Sequence, residues 1–215
     1  MSRPATVLFD VGNVLFPDPW ETLLLTPGKG LADRHGLDPG ALARTARALW
    51  HRFSTVESTA DAYWDALARE TGVPLTARAV EALEAELLHP HPRAAEFLAR
   101  AAEGGRAVGV VSNNTSFWYA IQSKALDLDR YVEPGLVFLS FRYGAEKGSP
   151  GRGLFELAAE HTDAATALVV EDRPPNVLRA RRAGFRTVHY AMDQEDDAQL
   201  DELLSRLSGS SRPSA

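Results

Sequence analysis

Ala165-Thr166-Ala167-Leu168-Val169-Val170-Glu171-Asp172 is a run of apolar and β-prone residues closed by two acids. An unbroken apolar run of this length suits a strand buried on both faces, and such strands belong to parallel sheets with helices on each side. The design recurs along the chain. Ala5–Phe9 (ATVLF) stops at Asp10, Arg106–Val111 (RAVGVV) at Ser112 and Gly135–Leu139 (GLVFL) at Ser140. Phe185–Tyr190 (FRTVHY) reads as a fifth strand. Helical stripes lie between them: Ala94, Phe97, Leu98 and Ala101; Leu154, Phe155, Leu157 and Ala158; Val177 and Leu178; and Leu200, Leu203, Leu204 and Leu207. Strands alternating with helices predict an α/β fold with right-handed crossovers.

The first crossover breaks the rhythm. About ninety residues separate the first two strands, far more than one crossover needs. The stretch reads as wholly helical, with Leu42, Leu49 and Phe53, then Tyr63, Trp64 and Leu67, then Val80, Leu83 and Leu87 marking successive helices. Gly36, Gly72-Val73-Pro74 and His89-Pro90-His91-Pro92 divide it. The expected architecture is a Rossmann-like parallel sheet in three αβα layers, formed by residues 1–16 and 91–207, with an α-helical cap inserted at 17–90. Residues 208–215 (SGSSRPSA) read as a disordered tail.

Composition narrows the function. The 215 residues carry 23 Lys+Arg and 29 Asp+Glu, a formal charge of −6, which argues against nucleic-acid binding. With no cysteine, a disulfide scaffold, a zinc–thiolate site, an iron–sulfur cluster and a Cys nucleophile are excluded. No stretch is long enough to span a bilayer, and Ala5–Phe9 is too short for a signal-peptide core, so a cytoplasmic protein with no membrane partner is expected. Either a monomer or a homodimer fits these numbers.

The polar residues after four of the runs form a set: Asp10, Ser112-Asn113-Asn114, Lys147 in the loop after the third run, and Glu171-Asp172. Ligands of open parallel sheets bind outside the carboxyl ends of the strands, so the set should converge on one crevice. A carboxylate, a hydroxyl, an ammonium and an acidic pair there can act as nucleophile, anion ligand, charge neutraliser and metal site.

These stretches resemble, in order, the four motifs of the haloacid-dehalogenase-like (HAD) hydrolase superfamily. Val7–Leu15 (VLFDVGNVL) resembles its nucleophile motif and Val110-Val111-Ser112-Asn113 its hydroxyl motif. Ser140–Pro150 (SFRYGAEKGSP) resembles its lysine motif and Val169–Val177 (VVEDRPPNV) its metal motif. The resemblance implies a phosphatase. Asp10 would attack phosphorus and form an aspartyl-phosphate, which water hydrolyses. Ser112, Asn113 and Lys147 would bind the phosphate, with Lys147 also neutralising the nucleophile. Asp10, the Gly12 carbonyl, Asp172 and Glu171 would hold Mg²⁺, a cation that prefers oxygen ligands, and Asn176 would orient that shell. The implied substrate is a small phosphorylated metabolite, a sugar or nucleotide phosphate.

One position departs from the family pattern. Its phosphatases usually place a second aspartate two residues after the nucleophile to protonate the leaving group, and here that residue is Gly12. Three explanations stay open. The leaving group needs little protonation, as an anomeric or acyl phosphate would, and some sugar-phosphate phosphatases of the family share this Asp-x-Gly-Asn start. Another residue, Asp18, His51 or Glu57, supplies the proton. Or the reaction differs: a 2-haloacid dehalogenase-type attack on carbon without metal, or phospholigand binding without turnover. Pro17-Asp18-Pro19 reads as a hinge, Trp50, Phe53 and Trp64 as filling the cap's own core, and Arg52 as a cation near the phosphate.

Overall fold

The computed structural model describes residues 3–208. The chain begins with β1 (Thr6–Phe9) and then enters five consecutive helices, α1 (Pro19–Leu25), α2 (Leu31–His35), α3 (Pro39–Phe53), α4 (Ala60–Thr71) and α5 (Ala77–Leu87). It returns through α6 (Ala94–Ala102) to β2 (Ala107–Ser112), then α7 (Ser116–Ala125), β3 (Val137–Leu139) and the short α8 (Ser140–Tyr143). The rest alternates: α9 (Leu154–His161), β4 (Ala167–Glu171), α10 (Pro174–Arg182), β5 (Arg186–His189) and α11 (Asp197–Ser208).

The five strands form one parallel sheet in the order β3-β2-β1-β4-β5. Side chains along β1, β2 and β4 alternate between two separate cores. Val7, Phe9, Val108, Val110, Leu168 and Val170 pack with Phe97 and Leu98 of α6 and Leu203 and Leu207 of α11. Leu8, Val111, Phe138 and Val169 pack on the opposite face with Leu154, Phe155 and Ala158 of α9 and Ala180 of α10. A sheet apolar on both faces and covered on both is the expected three-layer αβα arrangement.

Helix starts follow local chemistry. Asp18 caps α1 by accepting from the Glu21 N–H, with Pro19 in the first turn, and Asp38 and Pro39 repeat this at α3. Thr59, Thr76 and Thr115 cap α4, α5 and α7. Some boundaries differ from the sequence expectation. Gly135 and Leu136 belong to a 3₁₀ turn, Pro134–Leu136, in which the Leu136 N–H donates to Glu133 at 2.8 Å, so β3 starts only at Val137. Asp163 holds Ala165 and Thr166 in a turn ahead of β4. Ser208 closes α11 and its hydroxyl accepts from Arg100 at 3.2 Å, rather than opening a tail; residues 209–215 lie outside the described residues.

Gly109, in the middle of β2, is required by space. A Cβ there would come 2.5 Å from the Leu136 carbonyl oxygen and 2.6 Å from the Leu8 side chain. Gly109→Ala is expected to destabilise the fold by about 1–3 kcal/mol through overpacking, read as a lower urea midpoint with an unchanged slope.

Candidate functional site

Register brings the candidate residues together. Phe9 pairs with Val110 on one side and Val170 on the other, and the Asp10 N–H donates to the Val170 carbonyl at 2.9 Å. Asp10, Ser112 and Glu171-Asp172 therefore sit at the carboxyl ends of three adjacent strands. After Asp10 the chain turns sharply. The Phe16 N–H donates to Val11 at 3.0 Å, and Asn13 adopts a positive φ of 55°.

The centre is a buried cluster of three carboxylates and one ammonium. Lys147 Nζ donates to Asp10 Oδ2 and to Glu171 Oε2, each at 2.6 Å. Burial works against the Lys147 charge, but the two carboxylates outweigh it and hold the ammonium above its usual range. Asp10 Oδ1 accepts from the Val11 N–H at 2.7 Å. Both Glu171 oxygens are occupied: Oε2 by Lys147, and Oε1 by Asn176 Nδ2 at 2.9 Å and the Arg173 N–H at 3.3 Å. Glu171 and Asn176 therefore anchor the cluster from behind.

Asp172 is placed differently. Its Oδ1 is buried and has no hydrogen-bond partner among the described residues, while Oδ2 accepts from Asn13 Nδ2 at 3.4 Å. Burial, then repulsion from Asp10 and Glu171, raises its carboxyl well above the usual range. One oxygen from each of Asp10, Glu171 and Asp172 lies within 4.8 Å of the others. A buried all-carboxylate set with one orphaned oxygen fits a hard divalent cation.

These groups open onto a cavity of about 610 Å³, lined by Asp10, Gly12, Asn113, Lys147 and Asp172 from the sheet side. Trp20, Arg47, Trp50 and His51 line it from the helical insertion. Ser112 is buried at the end of β2, where its hydroxyl makes a 3.5 Å contact to the Asn113 carbonyl, and Asn113 is the residue that faces the cavity. The Asn113 side-chain oxygen also accepts the Lys147 N–H at 2.8 Å, fixing the lysine loop. Ahead of α7, the Asn114 and Thr115 amides are used internally, by Ser140 Oγ and Asn114 Oδ1.

The three proton-donor candidates separate. Glu57 lines another groove, with Ser116, Tyr119 and Arg142. His51 Nδ1 lies 3.0 Å from Glu146, which also accepts from Ser54 at 3.1 Å, so both serve the junction between α3 and the lysine loop. Asp18 lines the cavity beside Gly12. Its carboxyl is pushed up to about 7 by burial, then by Glu21, against the opposing pull of Arg173 at 3.2 Å.

The aromatic packing reaches beyond the insertion. Trp50 stacks on Trp118 of α7 at 5.7 Å, and Tyr63 and Trp64 meet the same ring edge-on. Phe53, Tyr63 and Trp64 also pack on one another within the insertion, so the rings both form its core and join it to α7. Arg52 lies over Phe53 at 5.5 Å, and Arg47 is the arginine of α3 that faces the cavity. Positions 47, 50, 51 and 54 share a helix face that excludes 52. Sequence reasoning missed Arg47 and the Asn13 bridge, in which Nδ2 also donates to Asp193 at 2.7 Å. Among the described residues, no helix is long and apolar enough to cross a membrane.

No protein-family model and no curated protein sequence matches the chain. Solved structures do. The HAD family enzyme bt-2542 from Bacteroides thetaiotaomicron, in its magnesium complex, aligns with a TM-score of 0.70 at 16% identity, over 94% of this chain and 99% of that one. The same enzyme with magnesium and inorganic phosphate aligns at 0.66 over 91% and 98%, again at 16% identity. The L-2-haloacid dehalogenase RSc1362 aligns at 0.62 with 21% identity, over 96% and 99%. Near-complete overlap on both sides, insertion included, gives this chain the fold of the HAD family enzymes.

Proposed function

We propose that this chain is a Mg²⁺-dependent phosphomonoester hydrolase that acts on a small phosphorylated metabolite, a sugar or nucleotide phosphate, through an aspartyl-phosphate on Asp10. The observation that carries this reading is the buried cluster: Asp10 pinned by Lys147, beside an Asp172 oxygen with no partner. Asp10 and Asp172, with the Gly12 carbonyl, would hold a Mg²⁺ that screens the repulsion between the nucleophile and a phosphate dianion. Asp10 Oδ2 then attacks phosphorus in line. Lys147, held between Asp10 and Glu171, offsets negative charge on nucleophile and phosphoryl group together. The Asn113 backbone N–H, with the Ser112 hydroxyl beneath it, orients a phosphate oxygen. The helical insertion forms the lid of the cavity, and its Trp20, Trp50 and Arg47 meet the part of the substrate that does not react.

A dehalogenase-type reaction is the alternative, since the fold is shared with an L-2-haloacid dehalogenase. The placement of Glu171 and Asp172 against Asp10 favours the phosphatase, because a metal-free attack on carbon gains nothing from neighbouring carboxylates. A panel of phosphate esters and 2-haloacids, each with Mg²⁺ and with EDTA, separates the two. Phosphate release that needs Mg²⁺ is expected. Halide release in EDTA would overturn the reading.

A further inference from the structure

A phosphate ester of an ordinary alcohol leaves as a strongly basic alkoxide unless a nearby acid protonates it, help typically worth about 10²–10⁴-fold. Four carboxyl groups line the cavity: Asp10, Asp18, Glu146 and Asp172. Asp10 is the nucleophile, and Asp172 faces it with an unpartnered oxygen. Glu146 is tied to His51 and Ser54. Asp18 is left. Its side chain is only 15% exposed, and its Oδ1 accepts the Glu21 N–H that starts α1. Its other oxygen, Oδ2, accepts from Arg173 at 3.2 Å and lies toward the loop carrying the nucleophile: a methyl built on Gly12 would come 3.8 Å from it. Gly12, Asp18 and Arg173 line the same cavity as Asp10.

Resting on the phosphatase reading, we propose that Asp18 is the general acid and base of the reaction, and that the substrates are therefore alkyl phosphomonoesters rather than acyl or anomeric phosphates. In the first step Asp10 forms a bond to phosphorus, the bond from phosphorus to the alcohol oxygen breaks, and that oxygen takes the Asp18 proton and leaves as the alcohol. In the second step Asp18, now a carboxylate, takes a proton from water. The water oxygen bonds to phosphorus, the bond to Asp10 breaks, and phosphate leaves with Asp18 protonated again. Atoms and charge balance over the two steps without any other reactant.

Leaving-group dependence tests this. Asp18→Asn keeps the side-chain oxygen that caps α1, and Asp18→Ser is a second variant that can cap. With Mg²⁺ and the best alkyl phosphate of the panel, each variant is expected to lose about 10²-fold or more in turnover. With 4-nitrophenyl phosphate, whose leaving group needs no proton, rapid mixing should give a burst of nitrophenolate at a rate within about threefold of wild type, followed by slow turnover as the aspartyl-phosphate waits for a base. An equal loss in the alkyl reaction and in the burst would overturn the proposal, and so would unimpaired alkyl phosphate turnover in both variants. A wild-type protein that releases no phosphate from any ester with Mg²⁺ would instead refute the underlying phosphatase reading.

Discussion

Asp10→Asn will release phosphate at least about 10⁴-fold more slowly than wild type at saturating Mg²⁺, because removal of a covalent nucleophile leaves only the binding and electrostatic parts of catalysis. The same change should alter the stability of the fold only modestly. Asp10 and its two acidic neighbours crowd one buried space around a single ammonium. An asparagine keeps an acceptor for the Val11 N–H and relieves repulsion with Glu171, but its Nδ2 then faces the Lys147 ammonium and the ion pair there is lost. Because Lys147 keeps Glu171 as a partner, the metal-free variant is expected to stay within about 1–2 kcal/mol of wild type at pH 8. Asp172, raised in part by Asp10, should ionise more easily in the variant. Phosphate release and urea midpoints measured on one preparation read both effects. Activity within tenfold of wild type would remove Asp10 from the chemistry.

Lys147→Met should destabilise far more. It too would stop turnover, but it leaves Asp10, Glu171 and Asp172 buried with no cation between them. Breaking a buried ion pair by deleting one partner costs about 3–5 kcal/mol, far more than an exposed pair is worth. The cost should be largest in EDTA at pH 8. It should shrink on adding Mg²⁺, and again on acidifying as Glu171, already raised by burial, takes up a proton. Urea unfolding of wild type and variant under those three conditions checks it. A midpoint unchanged in EDTA would mean that the cluster contributes little to the fold.

The contrast between these variants shows what was legible in the sequence. The sheet and its acidic strand ends were, because an apolar run stopped by a charged residue has one economical explanation, a buried strand emerging into a crevice. The direct adjacency of Asp10 and Glu171 was not, because it depends on β1 pairing with β4, a strand order the sequence reading did not give. Lys147 was legible only through its resemblance to a motif, since nothing in the local chain physics of Gly144–Pro150 sends its ammonium inward; it is the Asn113 side chain, from another loop, that fixes its backbone. The division of labour within Glu171-Asp172 was not legible either. Two consecutive acids leave a strand on opposite faces, and which one keeps a bare oxygen depends on Asn176 and Arg173 beyond them. The Asn13–Asp193 contact joins residues far apart in the chain, and the choice of Arg47 over Arg52 depends on how α3 is rolled against the sheet. Neither is a property of the local sequence.

Glu146 and Lys147 are consecutive, yet they answer to different parts of the molecule. The first is gripped by His51 and Ser54 of the insertion, and the second by Asp10 and Glu171 at the sheet. A single peptide unit thus links a side chain held by the helical insertion to one held at the sheet. A movement of the insertion that pulled on Glu146 would therefore act on the backbone that carries Lys147.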